Sequence, residues 1–294
     1  MEIRKKFREL LQSDNIVVAP GAYDAGTAML AAQAGFPAVY MSGAGVSATL
    51  GLPDYGLLTM TEMVATASRM ASAISVPLIA DADTGYGNEL NVARTVEAYE
   101  RAGVAAIHLE DQVSPKRCGH LKGKEVVSRE EFLIKIRAAV GARRDRDFVI
   151  IARTDARAVH DLEEAVWRAN AALENGADVA FVEATKSVEE AAAVPGLVHG
   201  PCVLNMVAGG LTPMFDVKQA QAMGYRLVIL PAIIISTMVA AVDQALASLQ
   251  STGKHPDIPG NLRPEDVFRK FGSGRWDALR DRYHDHATDL AVAR

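Results

Sequence analysis

Eight short apolar runs punctuate the chain, each closing on or beside a polar position and followed by a helical stretch. They are Ile16–Ala19, Ala38–Ser42, Leu78–Asp81, Ala106–Glu110, Phe148–Arg153, Val179–Glu183, Cys202–Asn205 and Leu227–Leu230. Each is mostly β-branched or aliphatic and too brief for a helix, which reads as a strand buried on both faces. Helix starts lie between them at Thr59-x-x-Glu62, Ser128-x-x-Glu131, Asp161-x-x-Glu164 and Ser187-x-x-Glu190, where a side-chain oxygen can accept a free amide of the first turn. Gly35, Gly103, Gly176 and Gly224 mark helix ends. Eight strand–helix units in sequence predict a closed (β/α)8 barrel, with an open doubly wound sheet as the alternative.

After about Ser248 the pattern changes. Gly253 to Pro264 carries three prolines and two glycines, and a charged helical stretch, Glu265 to Leu290, follows. The expected organisation is a barrel over residues 1–248 and a helical extension over 249–294, packed on the barrel or exchanged with a neighbouring subunit.

Composition narrows the function classes. The 294 residues are 49% apolar and 23% charged, ordinary globular chemistry rather than disorder. With 31 basic against 36 acidic residues the net charge is −5, which disfavours nucleic acid as a partner. Two cysteines, Cys118 and Cys202, are too few for a disulfide scaffold or a thiolate zinc site. The N-terminal stretch has no secretory apolar core and reads as a helix before the first strand. The longest apolar candidate, Leu227 to Ile235, is interrupted by Pro231, so no membrane span is expected and the compartment expected is the cytoplasm.

A barrel demands that its chemistry sit where strands end. Those ends carry Ser42-Gly43-Ala44, Asp81-Ala82-Asp83, Glu110-Asp111, Arg153-Thr154-Asp155, Glu183 and Asn205. Asp81, Asp83 and Glu110 are hard oxygen donors from adjacent strands, suited to magnesium or manganese; the competing reading pairs Asp83 and Glu110 with Lys116 and Arg117. Arg153 offers a fork for a carboxylate, against an ion pair with Asp155 or Glu183. The loop Ser114 to Lys124 surrounds Cys118 with Lys116, Arg117 and His120, from which a thiol titrating below its free value is expected. Gly43-Ala-Gly45 is a poor dinucleotide fingerprint, and the amides of Gly43 and Ala44 are better used on a substrate carboxylate. Cys202 enters a strand and reads as a small core residue.

Taken together, Asp81-Ala-Asp83-Thr-Gly-Tyr-Gly, Glu110-Asp-Gln, Lys116-Arg-Cys-Gly-His120, Ala152-Arg-Thr-Asp155 and Asn205-Met resemble the isocitrate lyase/phosphoenolpyruvate mutase superfamily. The resemblance spans about Ala19 to Pro231, and the Lys-Arg-Cys-Gly-His loop marks its carbon–carbon lyase branch, near methylisocitrate and dimethylmalate lyases. It implies Mg2+ on Asp81, Asp83 and Glu110, mostly through water. It also implies an acid substrate on Ser42, Gly43, Ala44 and Arg153, with further contacts from Asp54, Gly119, His120 and Asn205. Cys118 is implied as proton donor, with Tyr40, Glu183 and a metal-bound water as rival bases. A homotetramer, a dimer of dimers with exchanged C-terminal helices, is the implied assembly.

One departure bears on substrate. Methylisocitrate lyases resemble this chain up to Pro231 and then carry an arginine for a third carboxylate, where Ala232-Ile-Ile-Ile-Ser236 has none. Ser236 falls near that position, and Arg263 is the one distant substitute considered. An unpaired carboxylate in an apolar pocket costs several kcal/mol by order of magnitude, so an alkylmalate-type dicarboxylate is expected. Methylisocitrate lyase is the alternative, and a carboxyphosphoenolpyruvate or phosphonopyruvate mutase or hydrolase the more distant one.

Overall fold

The computed structural model describes residues 2–257 and 259–292, with side chains as far as His284. Its strands are β1 Val17–Ala22, β2 Val39–Met41, β3 Leu78–Asp81, β4 Ala106–Glu110, β5 Val149–Thr154, β6 Val179–Val182, β7 Val203–Asn205 and β8 Leu227–Leu230. They pair in the order β6-β5-β4-β3-β2-β1-β8-β7, every paired neighbour parallel. A single parallel bridge from Ala180 to Cys202 joins β6 to the residue before β7. Helices alternate with the strands, so the sheet is a nearly closed (β/α)8 barrel and not an open doubly wound one.

Strand parity positions the chemistry. Tyr40, Ile79, Ile151, Phe181 and Val203 share one inner cluster, while their neighbours Val39, Ala80 and Ile150 pack in the cluster with the helices outside. Side chains alternate along a strand, so the residue two further on faces the interior as well. Those residues are Ser42, Asp81, Arg153, Glu183 and Asn205, with Glu110 two beyond His108. The N-terminal helix Glu2–Gln12 adds Phe7 and Leu11 to the same inner cluster, so it is anchored by core burial.

Local signals act as the sequence predicts. Thr59, Ser128, Asp161 and Ser187 each cap a helix by accepting the amide of Glu62, Glu131, Glu164 and Glu190. Each cap contributes about 1 kcal/mol. Gly35, Gly103, Gly176 and Gly224 end helices at φ of 89°, 87°, 96° and 100°, a region that strains any residue with a Cβ.

Contacts gather the chain into two compact units, Met1–Thr237 and Met238–Arg294. Two sequence expectations need correction here. The charged helix over 265–290 is two helices, Pro264–Lys270 and Ser273–Val292, broken at Gly272 with φ of 84°. The other concerns membrane-length apolar stretches: Ile233–Thr252 forms a 20-residue helix that is long and apolar enough, by length and composition only, to cross a membrane. Pro231 precedes this helix instead of interrupting it, and Asp243 is its only charge.

Glu164 ties the helix Arg129–Ala142 to the helix Leu162–Glu174, accepting from Arg129 and from Arg168 Nε at 2.7 Å. Chiefly through the Arg129 hydrogen bond, with burial opposing and Arg168 assisting, its carboxyl falls from 4.5 to about 2. The folded value is the lower one, so the contribution is complete above pH 4.5 and is lost as the pH falls towards 2. Solvent screening limits it to about 1 kcal/mol. Glu164→Gln should lower Tm by about 2–4 °C at pH 7, and the gap should close on acidification. A gap of equal size at pH 7 and pH 2 in calorimetry would contradict the assignment.

Candidate active site

A cavity of about 110 Å³ opens among the strand-end residues. Tyr40, Ser42, Ala44, Asp54, Asp81, Cys118, Gly119, His120, Arg153, Glu183 and Asn205 line it, all of them expected from the sequence. Lys116 joins them, with an apolar wall of Val207, Pro231, Ala232 and Ile235. Gly43, Asp83 and Glu110 do not line the cavity but stand directly against residues that do. The space suits a compact acid and not a dinucleotide. Around Gly43 the chain forms a seven-residue helix capped by Ser42, which accepts the Gly45 amide at 3.3 Å.

Charge dominates the site. Asp81, Asp83, Glu110, Asp155 and Glu183 are buried, and Asp54 stands beside them. Against these six carboxylates the structure sets Lys116, Lys124 and Arg153. Lys116 Nζ lies 2.6 Å from Asp54 Oδ1 and 2.9 Å from Asp83 Oδ1. Burial works to lower its pKa, yet Asp83, Asp81, Glu110 and Asp54 hold it well above the usual lysine range. Arg153 Nε is 2.9 Å from Asp155 and 3.2 Å from Glu110, and Nη2 is 3.5 Å from Glu183. The ion pairs of Arg153 with Asp155 and Glu183, the competing expectation for this side chain, are therefore both present. Arg117 pairs with neither Asp83 nor Glu110 and lies over the Tyr55 ring, 5.8 Å from its centroid.

The cations do not balance the acids. Burial pushes Asp83 up to about 6 against the pull of Lys116, with Asp81 adding to the rise. Glu110 is raised well above the usual carboxylate range, again by burial with Arg153 opposing. Asp81 falls to about 2, because His108, Lys116 and Arg153 outweigh its own burial. Glu110 Oε1 is buried without a donor, and Asp83 Oδ1 and Glu110 Oε2 are answered only by the Lys116 and Arg153 charges. Hard, under-satisfied oxygens from β3 and β4 fit a divalent cation. Among the described residues no three acids, histidines or cysteines are grouped to ligate an ion directly.

Two further expectations change. The Cys118 thiol is not lowered: burial raises it, an amide hydrogen bond from His120 only partly opposing. Arg153 and Lys116, engaged by carboxylates, favour a thiolate too weakly to offset that burial. The Gly43 amide is also not free for a substrate, since it donates to Asp81 Oδ2 at 3.2 Å. A Cβ at Gly43 would run into that same oxygen. Cys202 is a core residue as expected, its thiol pushed up to about 12 by burial.

The loop after β4 is held from both sides. The Cys118 amide donates to the Asp54 carbonyl at 3.1 Å, and the Leu211 amide donates to His120 Nδ1 at 3.2 Å. Lys124 Nζ binds the Gly119 carbonyl and, at 2.7 Å, Asp155 Oδ1. Glu183 accepts from Asn205 Nδ2 at 2.9 Å and from the Ala184 amide at 2.8 Å, Ala184 itself standing at φ 59°. Asn205 Oδ1 stays buried without a donor. Sequence reasoning missed His108, whose Nε2 lies 2.8 Å from Tyr40 Oη. Its signal was available, as the one polar interior position of β4 before Glu110. Burial lowers His108 to about 4, so the ring is neutral, and burial with Asp81 beside it holds the Tyr40 phenol well above 10.

A parallel barrel with buried acids, an arginine and a loop thiol at its carboxyl end has the layout of a (β/α)8 enzyme. The phosphoenolpyruvate phosphomutase family matches residues 7–250, and the chain belongs to that family, within the isocitrate lyase/phosphoenolpyruvate mutase superfamily. It is 45% identical to the 2,3-dimethylmalate lyase of Eubacterium barkeri, over 98% of this chain and 99% of that one. It is 46% identical to a 2-methylisocitrate lyase of Aeropyrum pernix, over 98% and 90%. Among solved structures, oxaloacetate acetylhydrolase with 3,3-difluorooxalacetate superposes at TM-score 0.92 and 42% identity, over 96% and 97%. A phosphonopyruvate hydrolase complex with oxalate and Mg2+ superposes at 0.87 and 35%, over 96% and 99%.

If the orphaned acids hold the ion, saturating Mg2+ should stabilise the protein by about 2.7 kcal/mol at one hundred times its Kd. Glu110→Gln should fold and lose most of that gain. An equal Mg2+-dependent rise in Tm in the variant would remove Glu110 from the site.

Proposed function

We propose that this protein is a Mg2+-dependent carbon–carbon lyase that cleaves an alkylmalate-type 2-hydroxy dicarboxylate into a 2-oxo acid such as pyruvate and a second carboxylic acid. The observation that carries the reading is the place of Cys118 on the cavity wall with Arg153 and Glu183, where burial raises its thiol. When bound at Asp81, Asp83 and Glu110, chiefly through water, Mg2+ supplies positive charge against anionic substrate oxygens. Mn2+ suits the same donors. Arg153 binds a substrate carboxylate, trading part of its ion pairing with Glu110 and Glu183 for it. Asn205 Oδ1, lacking a donor, accepts from the 2-hydroxyl.

The bond changes balance across the substrate, the Cys118 thiol and a base that takes the 2-hydroxyl proton and returns it to the thiolate after the cleavage. The 2-hydroxyl loses its proton, its oxygen forms the carbonyl, and the C2–C3 electron pair passes to the departing acid. Cys118 delivers its proton to that carbon. A raised thiol pKa suits a donor, since the group stays protonated at neutral pH. Tyr40 and Glu183 are the wall groups considered for the base.

The apolar wall supports a dicarboxylate with alkyl substituents. Ser236 is exposed and does not line the cavity, and Arg263 is paired with Glu265 and Asp266. Methylisocitrate is the second reading, favoured by the 46% identity to the Aeropyrum pernix enzyme. As a cytoplasmic enzyme the protein assembles as a dimer of dimers that exchanges its C-terminal helices. Support comes from Val239, Val242, Leu246 and Leu249, exposed along the helix Ile233–Thr252 at helical spacing.

Substituted malates and methylisocitrate, assayed for 2-oxo acid release, decide the substrate. Cys118→Ser should lower kcat by about 10²–10⁴-fold; near-native turnover would remove it as proton donor. Light scattering should give a tetramer, and a stable monomer would remove the assembly.

A further inference from the structure

Beneath the acids, His108 is buried inside the barrel with its ring between two others. It stacks on Tyr40 with centroids 5.7 Å apart and meets Phe181 edge-on at 5.8 Å. Its Nε2 faces Tyr40 Oη at 2.8 Å and Asp81 Oδ1 at 3.4 Å. Its Nδ1 is buried and has no partner.

Where the ring carries its proton is read from these contacts, since Nε2 has a partner in Tyr40 Oη and Nδ1 has none. With the proton on Nδ1, Tyr40 donates to Nε2, a buried N–H is left with no acceptor, and the Nε2 lone pair faces the Asp81 carboxylate. With the proton on Nε2, the ring donates to Tyr40 Oη and presents a positive edge to Asp81. Only an acceptor is then left unfilled at Nδ1. Orphaned buried N–H groups are rarer than unfilled acceptors, and the electrostatics agree. Both considerations select the Nε2–H tautomer.

We propose that His108 is a positioning residue that donates from Nε2 to the Tyr40 oxygen and so turns the Tyr40 hydroxyl hydrogen towards the cavity. Tyr40 then acts as a hydrogen-bond donor to an anionic oxygen of the substrate, and not as the base that takes the 2-hydroxyl proton. The catalytic half of this inference rests on the lyase reading; the tautomer does not. Tyr40 lines the cavity and His108 does not, so a change at His108 reaches the substrate only through a neighbour. The two polar neighbours within reach are Tyr40 and Asp81, and the experiment separates them.

The first measurement needs no substrate. In the full chain labelled with ¹⁵N-histidine, with and without Mg2+, the His108 ring is assigned by its disappearance in His108→Gln. A proton-bearing Nε2 and a bare Nδ1 are expected, and a proton on Nδ1 would overturn the proposal. The second is a mutant cycle on turnover. Tyr40→Phe and His108→Phe should each lower kcat about 10–100-fold with a smaller change in KM. Added to Tyr40→Phe, His108→Phe should cost less than about threefold more, while His108→Gln, which restores a donor near Nε2, should recover about tenfold of the His108→Phe loss. Fully additive losses, or a loss that appears as weaker Mg2+ activation, would place the effect on Asp81 and overturn the proposal. If the native protein turns over none of the candidate acids, the lyase reading fails, and the ring spectrum alone decides the tautomer.

Discussion

Burying carboxylates inside a barrel is costly unless something answers their charge, and most of this site follows from how that cost is met. Six carboxylates crowd the mouth. Lys116 spans Asp54 and Asp83, Arg153 reaches Asp155, Glu110 and Glu183, and Lys124 bridges Asp155 to the loop backbone. These pairs use up the local cations and still leave Glu110 Oε1 buried with no donor. On the proposed lyase reading, a dicarboxylate entering such a mouth would add negative charge that a divalent cation would offset. The net charge of the whole chain says little about this, because the local imbalance is set by which acids the barrel gathers.

The same accounting explains the thiol. A cysteine flanked in sequence by lysine, arginine and histidine has every reason to titrate below its free value. In space Lys116 turns to Asp54 and Asp83, Arg117 lies over Tyr55, and His120 accepts from the Leu211 amide. Burial then governs and raises Cys118. The outcome suits a group that gives a proton away. The loop carrying it is tied to the segment before the helix Met60–Ala73 through Asp54 and to the β5 end through Lys124. The order at Cys118 therefore depends on the same ion pairs that neutralise the acids.

The barrel was legible because its signals are local. A short aliphatic run, a capping side chain and a closing glycine act through bonds a few residues long, and eight repeats of them leave few topologies. The acids at strand ends were legible for the same reason, since parity along a strand carries them inward with the apolar residues two positions earlier. His108 obeys that parity and was overlooked inside an otherwise apolar run. The helix Ile233–Thr252 was misjudged because Pro231 sits ahead of it, where a proline breaks nothing.

By itself, then, the sequence determined the eight strand–helix units, the face on which each polar residue lies, and the collection of acids, arginine and thiol at one end. Local propensity and two-residue periodicity are enough for that. Tertiary structure decided which cation answers which acid, that Cys118 is raised instead of lowered, that the Gly43 amide serves Asp81, and that His108 supports Tyr40. Those outcomes depend on distances between strands far apart in the chain and on how completely water is excluded. Neither quantity is written in residue spacing.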